Sequence, residues 1–281
     1  SYWYETEIFL FLGAAYLTAR FFYKWYRPLR QAWPPQRARA GRIALALLPL
    51  AAFFIVFAVL VSMASYDVVG IWVVFYLLLG YAWVYGGTSL TERYLDVFSV
   101  YDVVFLNNMA ALPPAIGSFL SIALIYAGAN TGDGPGWWVV LIAGLLGLAT
   151  WLALALLLRV STGISERITV ERNLGSGIRF GAYLLASGLI LAYASGGDWM
   201  SFGATLADVG AAWPVLPLAL LAFLVDNYYQ RPRPVDYDST STVASSAVWG
   251  TVYLLLAAAA LYAAVAPSLP GFAGNLWGVL Q

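Results

Sequence analysis

Cysteine and histidine are both missing from this chain of 281 residues. Without thiolate or imidazole ligands, the sequence cannot build a disulfide, an iron–sulfur cluster, a His-ligated haem or a conventional zinc or copper centre. The Ser–His and Cys–His nucleophilic systems of many hydrolases are excluded for the same reason. We therefore expect no metal site, no cofactor and no enzymatic activity.

Charge is also scarce. Charged residues make up 10% of the chain and hydrophobic residues 62%, whereas about 25% of the residues in an ordinary soluble domain are charged. This composition is typical of a polytopic membrane protein. We expect a single transmembrane domain over residues 1–281, with little chain left for anything beyond the helices and their connections.

Long apolar runs are what the sequence does contain. A helix crosses the hydrocarbon core of a bilayer with about 20 apolar residues. Eight runs approach or reach that length, and they cover residues 8–23, 43–64, 68–87, 109–129, 137–158, 174–195, 211–229 and 247–266. The sequence thus predicts an all-α polytopic membrane bundle of about eight transmembrane helices. The first run is the weakest, since Arg20 interrupts it, and a helix lying on the membrane surface is its alternative.

The basic residues are distributed asymmetrically. When the eight runs cross alternately, all 14 Lys and Arg residues fall on one face. Positively charged connections stay in the cytoplasm. We therefore predict that both termini lie outside, and that the protein is a multi-pass component of the bacterial inner (cytoplasmic) membrane with its Lys- and Arg-bearing linkers in the cytoplasm.

The spans also group into pairs. Each pair runs inward, through a polar cytoplasmic linker, and outward again, which predicts parallel two-helix repeats at about 5–66, 67–133, 134–198 and 209–268. The middle two units share residues when Asn108 is aligned with Asn173. The shared Asn and the Gly-Asp pairs at 132–133 and 197–198 carry this comparison, because matches among Leu, Ile and Ala are common in any apolar helix.

Small and polar residues mark the start of the related helices. Gly177 and Gly181 lie one turn apart, and Gly117 with Ser121 forms a similar pair, so we expect close helix packing there. The alternative is a polar pathway lined by exposed backbone and asparagine side chains. The candidate residues for packing or polar lining are Asn107, Asn108, Gly117, Asn173, Gly177 and Gly181.

A basic segment rich in aromatic residues follows the first span. Each cationic side chain near an anionic leaflet contributes about 1 kcal/mol of attraction, so we expect contact with anionic lipids. Topology alone also explains these charges, and nothing in the chain favours nucleic-acid binding. The predicted lipid-contacting residues are Lys24, Arg27, Arg30, Arg37, Arg39 and Arg42.

Ionisable residues are absent from the centres of the predicted spans. Arg159, Arg179 and Asp226 lie near the cytoplasmic ends, where we expect them to reach the headgroups or pair with them. The carboxylate pairs Glu166/Glu171 and Asp236/Asp238 could bind a divalent cation, although solvated linkers are the favoured interpretation.

One external connection is long enough for structure of its own. We expect a short interfacial helix from Asp198, with Asp198 as its N-cap and with Trp199, Met200 and Phe202 facing lipid. A disordered loop is the alternative.

The stretch from Ser165 to Leu185, SERITVERNLGSGIRFGAYLL, resembles the YjfL-type family of uncharacterised bacterial inner-membrane proteins, and the resemblance covers about residues 68–196. The matching positions are Glu171, Asn173, Gly177 and Gly181, with Asn108 and Gly117 as weaker counterparts. The resemblance implies tandem two-helix units and an association with envelope-stress or ion-handling systems.

Three functions remain open from the sequence. The first is a structural or accessory subunit of a membrane complex, whose partners would be membrane lipids, other membrane subunits or further copies of the chain. The second is a passive channel or small-solute pathway through the bundle or its oligomer. An intramembrane enzyme acting on lipids, using Asp226 and the cluster Arg37 to Arg42, is the third.

Overall fold

The computed structural model describes residues 5–31, 38–96, 100–230 and 239–266, and in this part of the chain the regular structure is helical. The α-helices are α1 (Glu5–Gln31), α2 (Arg39–Ser62), α3 (Ile71–Leu95), α4 (Leu112–Ala129), α5 (Trp137–Thr162), α6 (Ile164–Thr169), α7 (Leu174–Ala194), α8 (Phe202–Gly210), α9 (Val215–Gln230) and α10 (Ser239–Val265). A π-helical turn, Tyr101–Phe105, and a 3-10 turn, Met109–Ala111, lead into α4. The prediction of an all-α chain is confirmed.

Within the described residues, six helices are long and apolar enough to cross a membrane, and a seventh span results if α8 and α9, bent by 41°, count as one. The six are α2, α3, α4 with its preceding turn, α5, α7 and α10. Helix α1, which contains the predicted run 8–23, is not among them. The predicted all-α polytopic bundle is confirmed, with six to seven helices of membrane-spanning length and composition among the described residues.

Helices α4 and α7 form the centre of the bundle. In their apolar windows 67% and 72% of the residues are buried, compared with 17% in α10. Glycine residues allow the two helices to pack this closely. A Cβ added to Gly117 would lie closer than 3.0 Å to the carbonyl oxygen of Gly181, and one added to Gly128 would meet the carbonyl oxygen of Ala192 in the same way. The two backbones therefore touch along what we call the α4–α7 seam.

The connections gather at two ends of the bundle. At the basic end, which holds residues 100–108 and 163–173, the Ser165 hydroxyl donates to the Leu95 carbonyl at 2.7 Å. At the opposite end the Gly132 amide donates to Met63 O at 3.1 Å and the Gly197 amide to Thr131 O at 2.9 Å. Each end is thus held by hydrogen bonds between connections that are far apart in sequence.

Helix α8 corresponds to the short helix expected after span six, but it begins later than predicted. Ser201, not Asp198, is the N-cap, and its hydroxyl accepts a hydrogen bond from the Ala204 amide at 3.1 Å. Asp198 instead accepts from the Asp133 amide at 2.8 Å. The carboxylate is used to join two connections, so it is not available to cap a helix.

Candidate functional site

A cavity of about 620 Å³ opens at the basic end, between α6, α7, α9 and α10. Its walls are mainly polar, in contrast to the apolar packing elsewhere in the bundle. Two arginines line it, Arg167 from α6 and Arg179 from α7, and both lie close to Asp226 of α9, which is behind the wall. We call this the polar cavity.

Arg179 is the anchor of the polar cavity. Its side chain is 1% exposed, and its Nε and Nη2 atoms lie 2.9 and 2.8 Å from Asp226 Oδ1. Nη1 donates to Ser246 Oγ at 2.5 Å, and the guanidinium lies 4.0 Å from the centroid of the Tyr229 ring. The residue therefore joins α7, α9 and α10 through a charge-assisted, fully partnered network.

This arrangement corrects the sequence-based expectation for Arg179 and Asp226. Both lie near a helix end as predicted, but they do not reach toward headgroups, since each side chain is 1% exposed. A buried charge is stable only when it is paired and hydrogen-bonded. The partner of each is 47 residues away along the chain, which is why their pairing was not expected. Arg159, by contrast, forms a surface ion pair with Asp96.

Arg167 is poorly partnered in comparison. Its Nη2 lies 3.7 Å from Asp226 Oδ1 and donates to Thr162 O at 3.4 Å, while its buried Nε has no hydrogen-bond partner. The side chain is 12% exposed. Burial lowers the pKa of the Arg167 guanidinium below its ordinary value, and the Asp226 carboxylate opposes that shift. An arginine nonetheless remains charged.

Two carboxylates line the rim of the polar cavity. Glu166 and Glu171 are exposed, and neither forms an ion pair or a hydrogen bond through its carboxylate in the described structure. Among the described residues there is no group of three or more carboxylates that could hold a metal ion. Asp236 and Asp238, the other predicted pair, lie outside the described residues.

The predicted asparagines do not converge on one lumen. The Asn108 side chain is 1% exposed; its Oδ1 accepts from the Ala110 amide at 3.1 Å and its Nδ2 donates to Ile168 O at 2.8 Å. Asn173 caps α7 by accepting from the Ser176 amide at 2.9 Å, and it lines the polar cavity. Asn107 is exposed. Each asparagine therefore occupies a different environment.

The predicted glycines lie in the α4–α7 seam. A Cβ added to Gly177 would come closer than 3.0 Å to the Ala110 carbonyl oxygen, and one added to Gly181 would meet the backbone of Pro113 and Pro114. With Gly117 against Gly181, all three glycines are used inside the chain. Their close packing leaves no free small-residue face on this side of α4 or α7 for a partner.

Three of the predicted lipid-contacting residues, Arg30, Arg39 and Arg42, line a second cavity, of about 590 Å³, between the ends of α1 and α2. Arg42 also donates to the Leu29 carbonyl at 2.6 Å. Lys24 lies over the Tyr85 ring at 5.4 Å and Arg27 over the Tyr23 ring at 5.6 Å. Arg37 lies outside the described residues.

Two functional candidates were missed by sequence reasoning. The hydroxyls of Tyr183 and Tyr253 are buried and have no hydrogen-bond partner. Tyr183 lies four residues after Arg179 on α7, and Tyr253 lies seven after Ser246 on α10, so each lies on the same face of its helix as the Arg179 network, one to two turns further along. The only signal in the sequence was this helical spacing, which is uninformative without knowing that α7 packs on α10.

These observations define the class of protein: an α-helical integral membrane protein with several apolar spans. Within it, residues 66–195 match the model of a family described as a Domain of Unknown Function (DUF350). The match runs from the connection before α3 to the end of α7, and it contains the α4–α7 seam and Arg167 but not Asp226. Neither a curated protein nor a solved structure matches the chain.

The resemblance noted in the sequence thus corresponds, over nearly the same residues, to an uncharacterised family domain. The YjfL-type identity stays a prediction. Helices α9 and α10, which complete the polar cavity, lie beyond the matched region, so the part of the cavity wall that Tyr229, Gln230 and Thr242 form is not described by the family model.

Proposed function

We propose that this protein is a non-enzymatic structural or accessory subunit of a membrane complex in the bacterial inner membrane, with its basic end in the cytoplasm. The observation that supports this role is the α4–α7 seam. Backbones in contact along the centre of the bundle resist separation and leave no width for a solute between them. A rigid, closed centre suits a subunit that keeps other membrane proteins in fixed positions.

The outer helices provide the surface for such a role. Helix α10 has 17% of its apolar window buried and α2 has 33%, so most of each faces outward. Their exposed side chains include Phe54, Leu47, Leu255 and Tyr262. Lipid alone can cover such faces. The proposal is that part of this surface is covered by other membrane subunits.

Native purification tests the accessory role. Full-length protein would be extracted with its surrounding lipid into polymer discs and analysed by native mass spectrometry. We expect a stoichiometric complex with at least one other membrane protein. A free monomer with no copurifying protein would contradict the proposal. A particle containing only copies of this chain would shift support to the channel described next.

A passive solute or ion pathway is the second candidate, and one observation favours it. The unpartnered hydroxyls of Tyr183 and Tyr253 are buried on α7 and α10, the two helices that the Arg179–Ser246 hydrogen bond joins, and a file of water molecules leading inward from the polar cavity would partner them. Flux through proteoliposomes is the test. Selective flux that is abolished by Asn173→Leu, and reduced by Tyr183→Phe, would establish the pathway and overturn the accessory role.

A further inference from the structure

The polar cavity holds an imbalance of buried charge. Arg167 and Arg179 face one buried carboxylate, Asp226, and Arg179 takes both close contacts to the same Oδ1 atom, at 2.9 and 2.8 Å. Arg167 is left with a 3.7 Å contact to that oxygen. The buried groups therefore carry one positive charge in excess. An uncompensated charge in a low-dielectric site is unfavourable and attracts a counter-ion.

The donor groups around that charge match an oxyanion. The Arg167 Nε is buried without a partner. The side-chain amide of Asn173, whose oxygen caps α7, makes no other hydrogen bond in the described structure and lines the same cavity. The amino-terminal end of α7, a helix of 21 residues, adds a partial positive charge. A guanidinium binds phosphate or carboxylate oxygens with directed hydrogen bonds.

The neighbouring carboxylates do not already fill this role. Glu166 and Glu171 are the acidic groups that line the polar cavity, from α6 and from the connection to α7. Both side chains are exposed and neither comes within ion-pair distance of Arg167. Helix α9 contributes Asp226, which is engaged by Arg179, and the described part of α10 contributes the hydroxyl-bearing Thr242, Ser245 and Ser246. Arg167 is thus the cation with spare donor capacity.

We propose that the polar cavity binds a phosphate-type oxyanion, held chiefly by Arg167 with the Asn173 amide and the start of α7. The volume of about 620 Å³ is many times the roughly 30 Å³ that one water molecule takes in the liquid, so a phosphate group with a substituent fits. The ligand can be free inorganic phosphate or the headgroup of a phospholipid reaching in at the membrane surface. The two share the same recognition chemistry.

The experiment uses full-length protein in nanodiscs of purely zwitterionic lipid. Thermal unfolding is followed while inorganic phosphate is added, and separately in discs that contain phosphatidic acid in place of part of the zwitterionic lipid. Stabilisation by phosphate identifies a free anion as a sufficient ligand. Stabilisation by phosphatidic acid alone identifies the lipid headgroup. Absence of stabilisation in both series overturns the proposal.

Three variants test the residue assignment. Arg167→Gln should weaken binding roughly ten- to a hundred-fold, the equivalent of one charge-assisted hydrogen-bonded contact. Glu171→Gln should tighten binding several-fold, because it removes a competing negative charge at the rim. Arg93→Gln is the matched control: it removes an exposed arginine at the same end and should leave binding unchanged.

The set remains decisive if Arg167→Gln does not fold, because Glu171→Gln retains every proposed donor. Tighter binding by Glu171→Gln supports the oxyanion site. Glu171→Gln that lowers the unfolding temperature without ligand, and does not tighten binding, would mean that Glu171 is the natural partner of Arg167, and would overturn it. If Arg167→Gln and Arg93→Gln weakened binding equally, the anion would be responding to general surface charge, and the proposed site would also be overturned.

Discussion

The segments that lead into α4 and α7 share several backbone features but have different surroundings. In each, the residue before the asparagine has a left-handed conformation, with φ of 52° at Asn107 and 55° at Arg172. In each, the backbone N–H of the asparagine donates to the carbonyl six residues earlier, at 2.9 Å. The side-chain oxygen of the same asparagine caps the following turn. The 65-residue offset found in the sequence relates all of these features.

The side chains at equivalent positions differ. Asp102 and Arg167, 65 residues apart, are the residues whose carbonyls accept these hydrogen bonds, and they carry opposite charges. Asn108 is covered by α6, where its Nδ2 finds the Ile168 carbonyl, whereas Asn173 faces the polar cavity. The same asparagine cap therefore lies in a closed, packed environment at Asn108 and beside an open, charged cavity at Asn173. The internal repeat stays a prediction, with which the shared caps agree.

The largest expected effect is on the charged side of this comparison. Asp226→Ala leaves Arg179 and Arg167 buried without a carboxylate, and breaking a buried pair in this way costs about 3–5 kcal/mol. We expect a large fall in unfolding temperature, or loss of folded protein. Asp96→Ala is the control, since it breaks only the exposed pair with Arg159 and should cost at most about 1 kcal/mol. Equal effects of the two substitutions would contradict a buried, paired Asp226.

The next largest effect is expected from a substitution in the α4–α7 seam, which holds the two compared helices together. Gly181→Ala places a methyl group against the backbone of Pro113, and overpacking of this kind costs about 1–3 kcal/mol. Gly13→Ala is matched to it, because no atom lies within 4 Å of the added Cβ in α1. That change should be neutral or stabilising by up to about 1 kcal/mol. Thermal unfolding of both variants in the same detergent measures the difference. A harmless Gly181→Ala would show that the seam is looser than described.

The caps themselves provide a sharper comparison. Asn173→Ala should cost about 0.5–2 kcal/mol, as is usual for loss of an N-cap. Asn108→Ala removes an equivalent cap and also the donor to the buried Ile168 carbonyl, so we expect it to cost about 1 kcal/mol more. The free energy of unfolding should therefore be lower for Asn108→Ala than for Asn173→Ala. If Asn173→Ala lowered the free energy of unfolding more, the contribution of Asn173 would come mainly from the polar cavity and not from the cap.

The smallest effect concerns two buried tyrosines. Tyr126 of α4 donates to the Tyr76 carbonyl at 2.7 Å, while the Tyr183 hydroxyl of α7 has no partner. Tyr126→Phe should destabilise by about 1 kcal/mol, and Tyr183→Phe should be neutral or stabilising. Unfolding temperatures measure both. A destabilising Tyr183→Phe would reveal a water molecule bound to that hydroxyl, which would favour the solute pathway.

Several features of the fold could be predicted from the residues because they depend on local patterns. Apolar runs identified most of the spans, and the spacing of Gly177 and Gly181 indicated close packing, since helical periodicity places them on one face. The run at 8–23 lies in a longer helix, α1, which is not among the helices apolar enough to cross a membrane by composition, so the choice between a span and a surface helix stays as the sequence left it.

The residues that face each other could not be predicted in this way. Nothing local to Arg179 indicates Asp226, and Asp198 looked like a cap until Asp133 proved to be its neighbour. Such pairings depend on which helices pack together and in what register, and a single sequence carries no direct record of that choice.

The amino-acid sequence by itself therefore determined the class of protein and the helical segments, because the first depends on transfer from water to lipid and the second on interactions within a few residues. Tertiary structure alone decided that α4 meets α7 through bare backbone, and that two arginines share one buried carboxylate. Those contacts join residues 47 or more positions apart, and their free energy exists only after the helices have packed.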